Sequence, residues 1–163
     1  MKDQLSATTR HRLDVQGFNG ISDQRLAPVA PWLRLAFVLC ATLAATGTVT
    51  ASTALLGTLV VVAALAAIFP VHPFDLIYNF GIRHITATEP LPKRGAPSRF
   101  ACGVGAIWLL GLIWAFEAGH HMAGYIFGGL LTAVAVLVST TDICIPSMIY
   151  RAIFGKVKLV AET

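Results

Sequence analysis

Cysteine is the residue type in this chain with the clearest capacity for chemistry. The sequence holds three cysteines, and the last begins the tetrapeptide Cys-Ile-Pro-Ser at positions 144–147. The first cysteine of a Cys-x-x-Cys motif is often an activated thiolate, but Ser147 supplies no second thiol to complete a redox cycle. We therefore predict that Cys144 packs at a helix end beside Pro146. A redox role for Cys144 is the alternative.

A second candidate site combines one carboxylate with two adjacent imidazoles. On a helix, Glu117 would share a face with His120 and His121, and a Glu-x-x-His pair is one half of a di-iron site in helical bundles. The pattern occurs once, in a short polar segment between two long uncharged runs, and this segment holds no second acidic residue. Glu117, His120 and His121 are therefore weak metal candidates, and we expect solvated turn residues and no cofactor.

An aspartate, Asp142, stands at the end of the last apolar run. An acidic group close to the hydrocarbon is costly, and the helix dipole also disfavours an acid at a helix C-terminus. Asp142 therefore needs a cationic partner, and both Arg99 and Arg34 are expected at its depth. We predict a structural ion pair between Arg99 and Asp142 that ties the fourth span to the third, in preference to a proton or ion path.

Small residues recur at four-residue spacing along the apolar runs. The rows include Gly124-x-x-x-Gly128 and Gly129-x-x-x-Ala133 in the fourth run and Gly111-x-x-x-Ala115 in the third. Such rows allow helix backbones to approach closely in lipid. We predict that Gly111, Gly124, Gly128 and Gly129 serve either packing of the bundle itself or docking to another membrane protein.

The overall composition explains why polar candidates are so few. Of the 163 residues, 56% are hydrophobic and 12% are charged, against about 25% charged in ordinary soluble domains. This composition excludes a disordered chain or a coiled coil and argues against a soluble enzyme. The formal charge of +4 is spread thinly, with no basic stripe, so nucleic acid is not an expected partner. Cys40 and Cys102 are expected to be small buried apolar residues.

Apolar runs divide the chain into membrane spans. The uncharged run between Arg34 and Asp75 would be about 60 Å long as one helix, twice the roughly 30 Å hydrocarbon core. We predict an all-α membrane protein with four transmembrane helices as two hairpins, each followed by a short interfacial amphipathic helix. The predicted segments are a polar tail at 1–30, a membrane domain at 31–155 with spans at about 31–47, 52–70, 100–116 and 122–141, and a polar tail at 156–163.

The distribution of basic residues orients these spans. All twelve lysines and arginines fall outside the two hairpin tips, on one side of the four-span arrangement. The positive-inside rule then places both termini in the cytoplasm, and we predict a multi-pass protein of the bacterial inner (cytoplasmic) membrane.

A weak internal repeat accompanies the two predicted hairpins. The dipeptide Ile77-Tyr78 recurs as Ile149-Tyr150, and the Arg-Leu-Ala-Pro at 25–28 is echoed by Arg-Gly-Ala-Pro at 94–97. Each copy covers an even number of spans, so the pattern indicates a parallel repeat.

Three short motifs, in this order and spacing, carry a family resemblance. They are Phe-Pro-Val-His-Pro at 69–73, Pro-Ser-Arg-Phe-Ala at 97–101 and Cys-Ile-Pro-Ser at 144–147. Over roughly residues 31–155 the chain resembles a bacterial membrane family catalogued as domain of unknown function 4395. Many members of that family carry a second cysteine where this chain has Ser147. The resemblance implies the architecture and supplies no activity.

The sequence leaves three functional hypotheses of different classes. The first is a non-catalytic accessory subunit or assembly factor of a larger membrane complex, because catalytic groups are scarce and small-residue faces are abundant. Its expected partners are the lipid bilayer and other integral membrane subunits, with an energy-transducing complex as one candidate. The second is a thiol-redox protein that uses Cys144 with a thioredoxin-like partner. A small transporter is the third, disfavoured because the spans are almost wholly apolar.

Overall fold

The computed structural model describes residues 5–155, and all regular structure in this part is helical. The helices are α1 (Ala7–Leu13), α2 (Asp23–Leu33), α3 (Leu35–Val49), α4 (Thr53–Ile68), α5 (Pro73–Ile77), α6 (Arg83–Thr86), α7 (Ala96–Glu117), α8 (His121–Thr141) and α9 (Ile145–Phe154). Two five-residue segments follow α1 and α5: Asp14–Phe18, which is kinked at Gly17 (φ 101°), and the π-helical turn Tyr78–Ile82. The prediction of an all-α protein is confirmed for the described residues, and the predicted tail at 156–163 lies outside them.

Three helical stretches are long and apolar enough to cross a membrane. They are Asp23–Val49, which joins α2 to α3, and the helices α7 and α8. Helix α4 has 16 residues, about 24 Å at 1.5 Å per residue. It reaches spanning length only together with Pro73–Thr86, from which it is bent by 87°. Three or four apolar helices are therefore compatible with a multi-pass membrane protein.

Helices α3, α4, α7 and α8 form a four-helix bundle. Helix α4 lies mainly along α7 and α3 mainly along α8, whereas α3 and α4, or α7 and α8, contact each other less extensively. In a parallel repeat α3 corresponds to α7 and α4 to α8. The contact of α4 with α7 then corresponds to the contact of α8 with α3, and these are the two most extensive contacts. The bundle core contains Leu56, Leu59, Leu109, Leu112 and Phe116, packed against small residues such as Ala44 and Ala63.

The N-terminal segment differs from the predicted polar tail, because α1, α2 and the segment between them pack on the rest of the chain. Leu13, Phe18 and Leu26 are almost fully buried, in one cluster with Tyr78. The few apolar side chains of this segment come together in one buried cluster when it folds. Its average composition gives no sign of this clustering. Burial of about three large apolar side chains, each worth roughly 1.5–3 kcal/mol, explains why this charged segment folds against the bundle.

The predicted small-residue rows divide between internal and external positions. A Cβ atom on Gly128 would lie 2.3 Å from Oγ1 of Thr48, and one on Gly124 would lie 2.5 Å from the Phe116 ring. These two glycines therefore serve packing inside the bundle. A Cβ on Gly111 or Gly129 would meet no atom within 4 Å, so those positions remain open.

Replacing Gly128 by leucine should destabilise the bundle by about 1–3 kcal/mol or more, because the new side chain overlaps Thr48 on α3. The matched change Gly129→Leu, on the same helix but facing open space, should shift stability by no more than about 0.5 kcal/mol. Unfolding in mild detergent, followed by circular dichroism, would measure both. Equal stability of the two variants would contradict the packing described.

Candidate functional site

Arginine side chains gather at the end of the bundle where α4 and α8 finish, here termed the basic end. Arg99 donates from Nε to the Ala67 carbonyl (3.0 Å) and from Nη2 to the Ile68 carbonyl (2.6 Å), both in the last turn of α4. Arg12 donates to the Thr141 carbonyl at the end of α8 (2.7 Å). These bonds satisfy carbonyl oxygens that have no partner within their own helix, and they place positive charge at the negative end of each helix dipole.

Asp142 is paired with Arg34, which corrects the predicted partner. Nε of Arg34 donates a hydrogen bond to Oδ1 of Asp142 (2.9 Å), and Nη2 donates one to Oδ2. Asp142 adopts a left-handed backbone conformation (φ 59°) that ends α8, and its carbonyl accepts a bond from Nε2 of Gln16 (2.8 Å). The predicted Arg99–Asp142 pair does not form, because the Arg99 guanidinium is directed to the end of α4.

The most deeply buried ion pair joins Asp75 to Arg94. Their side chains are 3% and 1% exposed, and Nε and Nη2 of Arg94 contact the two carboxylate oxygens at 2.7 and 2.8 Å. Nη2 also lies 3.3 Å from the Leu33 carbonyl, and the guanidinium carbon lies 5.1 Å from the Phe37 ring centroid. A bidentate pair with this geometry neutralises both charges where water is excluded, while Nη1 of Arg94 is buried without a hydrogen-bond partner.

All three cysteines line one cavity next to this pair. The cavity has a volume of about 320 Å³, and Cys40, Cys102, Cys144 and His72 are in its wall. We term it the thiol cavity. Because Cys40 is on α3, Cys102 on α7 and Cys144 precedes α9, only the packing of the two halves brings the thiols together.

The sequence alone does not reveal the thiol cavity, because it predicts only packing roles for Cys40 and Cys102 and indicates no site at His72. One available signal was the internal repeat. His72 and Cys144 are separated by the same interval as the two Ile-Tyr dipeptides. Each of these two residues immediately precedes the first residue of a short helix, α5 or α9.

His72 is a buried neutral imidazole with a defined tautomer. Its Nδ1 accepts the backbone N–H of Phe74 (3.2 Å), so the ring proton is on Nε2. That Nε2 lies 3.9 Å from Sγ of Cys40. Burial lowers the pKa of His72 to about 4, and the nearby positive charge of Arg94 acts in the same direction while Asp75 opposes it.

Cys144 forms a buried polar contact with Ser147. The serine Oγ lies 3.0 Å from Sγ of Cys144 and 3.1 Å from the Pro97 carbonyl oxygen, and so connects α9 to the first turn of α7. Burial raises the pKa of the Cys144 thiol, although the contact with Ser147 and the charge of Arg94 act against this rise. The thiol form, rather than the nucleophilic thiolate, is therefore favoured at neutral pH.

The weak metal candidates lie at the opposite end of the bundle. Glu117, His120 and His121 are exposed. The His120 ring packs beside Trp114 (centroids 5.8 Å apart) and the His121 ring beside Phe116 (6.1 Å). Within residues 5–155 no group of three histidine, cysteine, aspartate or glutamate side chains is arranged to hold a metal ion.

These features define a helical protein with apolar helices of membrane-spanning length and buried ion pairs at one end. The profile of the family described as Domain of unknown function (DUF4395) matches residues 30–154, and the chain belongs to this family. The family resemblance seen in the sequence motifs is thereby confirmed. Searches of curated proteins and of solved structures find no significant match.

Acidification should destabilise the protein through His72. Its pKa is about 4 when folded, against the ordinary value of 6.5, so the unfolded chain takes up a proton first as the pH falls. The resulting loss in the free energy of unfolding is absent above pH 6.5 and grows to at most about 3 kcal/mol near pH 4. Asparagine at position 72 can keep the helix cap without titrating, so His72→Asn should lose less stability over this interval. Identical pH profiles of the free energy of unfolding would contradict the assignment.

Proposed function

We propose that this chain is a non-catalytic integral membrane protein that acts as an accessory subunit or assembly factor of a larger membrane complex. An energy-transducing complex is one candidate for that assembly. The observation that carries the proposal is an open apolar groove on α7 and α8, around Gly111. We term it the tip groove because it lies towards the turn at 118–120. Its volume is about 500 Å³, and Gly111, Trp108, Trp114, His120 and Phe127 are among its lining residues.

The form of the tip groove suits a transmembrane helix of another protein. Nε1 of Trp108 donates to the Phe127 carbonyl (3.1 Å), which fixes the α7 and α8 sides of the groove relative to each other. Trp114 is 66% exposed, and Gly111 leaves open space where a side chain would stand. A small residue between large ones allows close approach of a second helix, and this is how helices associate in lipid.

Three side chains that could take part in chemistry are instead engaged in contacts within the chain, which also supports a non-catalytic role. Asp142 is held by Arg34, Asp75 by Arg94, and Cys144 contacts Ser147. The two ion pairs connect separate elements of the chain, whereas the contact between Cys144 and Ser147 is local. A function in assembly accounts for these groups as parts of the scaffold.

The proposed location is the bacterial inner membrane, with the basic end and both termini in the cytoplasm. The arginines of the basic end support this orientation by the positive-inside rule. Beside them, the short helical segments after α4 and α8 expose large apolar side chains, including Phe80 (78%), Ile85 (87%) and Ile153 (65%). Such faces suit helices that lie in the membrane interface.

Thiol-redox function is the second candidate, and the convergence of three cysteines on one cavity favours it. A thioredoxin-like protein partner fits this site poorly, because Cys144 is only 4% exposed and its pKa is raised by burial. An exchange reaction requires access to the attacked sulfur. Redox chemistry at this site would therefore depend on a small, membrane-soluble reactant.

Replacing Gly111 by leucine should fill the tip groove and release the partner, while the protein remains folded, because no atom obstructs the new side chain. Gly57→Leu is the matched control, since Gly57 also faces open space but on α4. Proteins recovered with the tagged chain after mild detergent extraction would be quantified by mass spectrometry. A companion that is lost at least about tenfold, or about 1.4 kcal/mol, only with Gly111→Leu supports the proposal. Equal recovery with both variants would remove its basis.

A further inference from the structure

We propose that the thiol cavity binds a lipid-soluble quinone, one of whose carbonyl oxygens accepts a hydrogen bond from Nε2 of His72. This inference goes beyond the accessory role and uses other residues than the tip groove. It concerns reversible binding, in which no covalent bond forms or breaks. The juxtaposition that carries it is a buried imidazole N–H, bonded only to a cysteine sulfur, in the wall of an otherwise apolar chamber.

The size and lining of the thiol cavity suit an organic ligand. Its volume of about 320 Å³ is at the lower end of the roughly 300–1,000 Å³ range of ligand pockets. Few packing voids in protein interiors are larger than a water molecule. The wall contains the aromatic rings of Phe37, Phe100 and Trp108, which are suitable neighbours for a flat ring. A chamber of this size therefore fits a quinone ring and the first part of its tail.

The polar groups of the thiol cavity are hydrogen-bond donors. His72 is 2% exposed, and its Nδ1 is occupied by the Phe74 N–H, so Nε2 carries a proton. The neighbouring Cys40 sulfur, at 3.9 Å, is a weak acceptor, and the thiols of Cys102 and Cys144 are themselves weak donors. A ligand carbonyl would satisfy the His72 N–H better than sulfur does.

The same tautomer argues against a metal ion as the ligand. A metal needs the lone pair of an imidazole nitrogen, but Nδ1 of His72 accepts a backbone N–H and Nε2 carries the proton. This agrees with the lack of any metal-holding group of three side chains within residues 5–155. An organic molecule with a hydrogen-bond acceptor therefore suits this N–H better than a metal ion does.

The absence of charged side chains from the cavity wall favours a ligand with an uncharged headgroup. The cavity wall contains no aspartate, glutamate, lysine or arginine, and the adjacent Arg94 is neutralised by Asp75. A carboxylate or phosphate brought into this chamber would lose its hydration without gaining a counter-charge. Fatty acids and phospholipid headgroups are thus disfavoured, whereas a quinone has carbonyl acceptors, no net charge and an apolar tail.

An opening toward the lipid lies beside α9. Ile145 and Ile149 line the thiol cavity and are nevertheless 43% and 48% exposed. The chamber therefore reaches the lateral surface of the bundle, where an isoprenoid or alkyl tail can extend into the bilayer.

The cysteines of the cavity provide the readout for a test. The full chain would be reconstituted in nanodiscs, and alkylation of Cys40, Cys102 and Cys144 by N-ethylmaleimide would be followed by mass spectrometry. Decylubiquinone is the probe, because its fully substituted ring does not alkylate thiols. We expect it to slow labelling in a saturable manner. His72→Asn, which can keep the cap on α5 but removes the ring N–H, should raise the half-protective concentration about 3- to 10-fold.

Two controls separate this site from nonspecific effects. Gly105→Phe would fill the cavity, because Gly105 lines it and has open space at its Cβ, and protection should disappear. Gly57→Phe, outside the cavity wall, should leave protection intact. The proposal is overturned if decylubiquinone does not protect the wild type, if decylbenzene, which lacks carbonyls, protects equally well, or if Gly105→Phe is still protected. If Gly105→Phe fails to fold, His72→Asn decides, and an unchanged half-protective concentration overturns the proposal.

Discussion

The guanidinium of Arg94 is buried in an apolar surrounding, and Asp75 neutralises it there. Two oppositely charged groups that leave water together need good geometry, since loss of either partner leaves an uncompensated charge. Arg94 meets this need with a bidentate contact to Asp75, a contact to the Leu33 carbonyl, and a backbone N–H bond to the Pro70 carbonyl (2.7 Å). One residue thereby joins the end of α2, the chain after α4, the start of α5 and the approach to α7.

The position of the thiol cavity follows from that junction. Asp75 is in the first turn of α5, which His72 caps, so the pair fixes where the His72 ring lies. The same guanidinium lies against Phe37, another residue of the cavity wall. The remaining arginines of the basic end have a related structural role, because Arg99 and Arg12 satisfy the terminal carbonyls of α4 and α8. Basic residues here shape the fold in addition to any effect on membrane orientation.

Sequence reasoning recovers the elements of this fold better than their contacts. The predicted spans at 100–116 and 122–141 are close to the observed α7 and α8, because long uncharged runs bounded by polar residues indicate apolar helices directly. The need of Asp142 for a cation was also readable, since it follows from electrostatics alone. The choice of Arg34 over Arg99 was not, because it depends on α3 lying along α8 and on the end of α4 lying within reach of Arg99.

The convergence of the cysteines escaped prediction for the same reason. Three widely spaced cysteines in separate parts of the chain show no motif, and only the pairing of α3 with α8 and of α4 with α7 brings them to one chamber. The packing of the N-terminal segment is difficult to predict for a different reason. Its charged composition is typical of a tail, yet Leu13 and Phe18 pack beside Tyr78. Pairwise long-range geometry is absent from a single sequence, whereas periodicity and charge runs are present in it.

The measurement that tests this account most directly is a double-mutant cycle on Asp75 and Arg94, with unfolding followed in mild detergent. We expect Asp75→Asn or Arg94→Gln alone to cost about 3–5 kcal/mol, and the double variant to cost at least about 2 kcal/mol less than the sum. The exposed pair Arg25–Glu89, with side chains 46% and 59% exposed, should show a coupling of no more than about 1 kcal/mol. Additive effects at Asp75 and Arg94, within about 0.5 kcal/mol, would contradict the view that this buried pair organises the basic end.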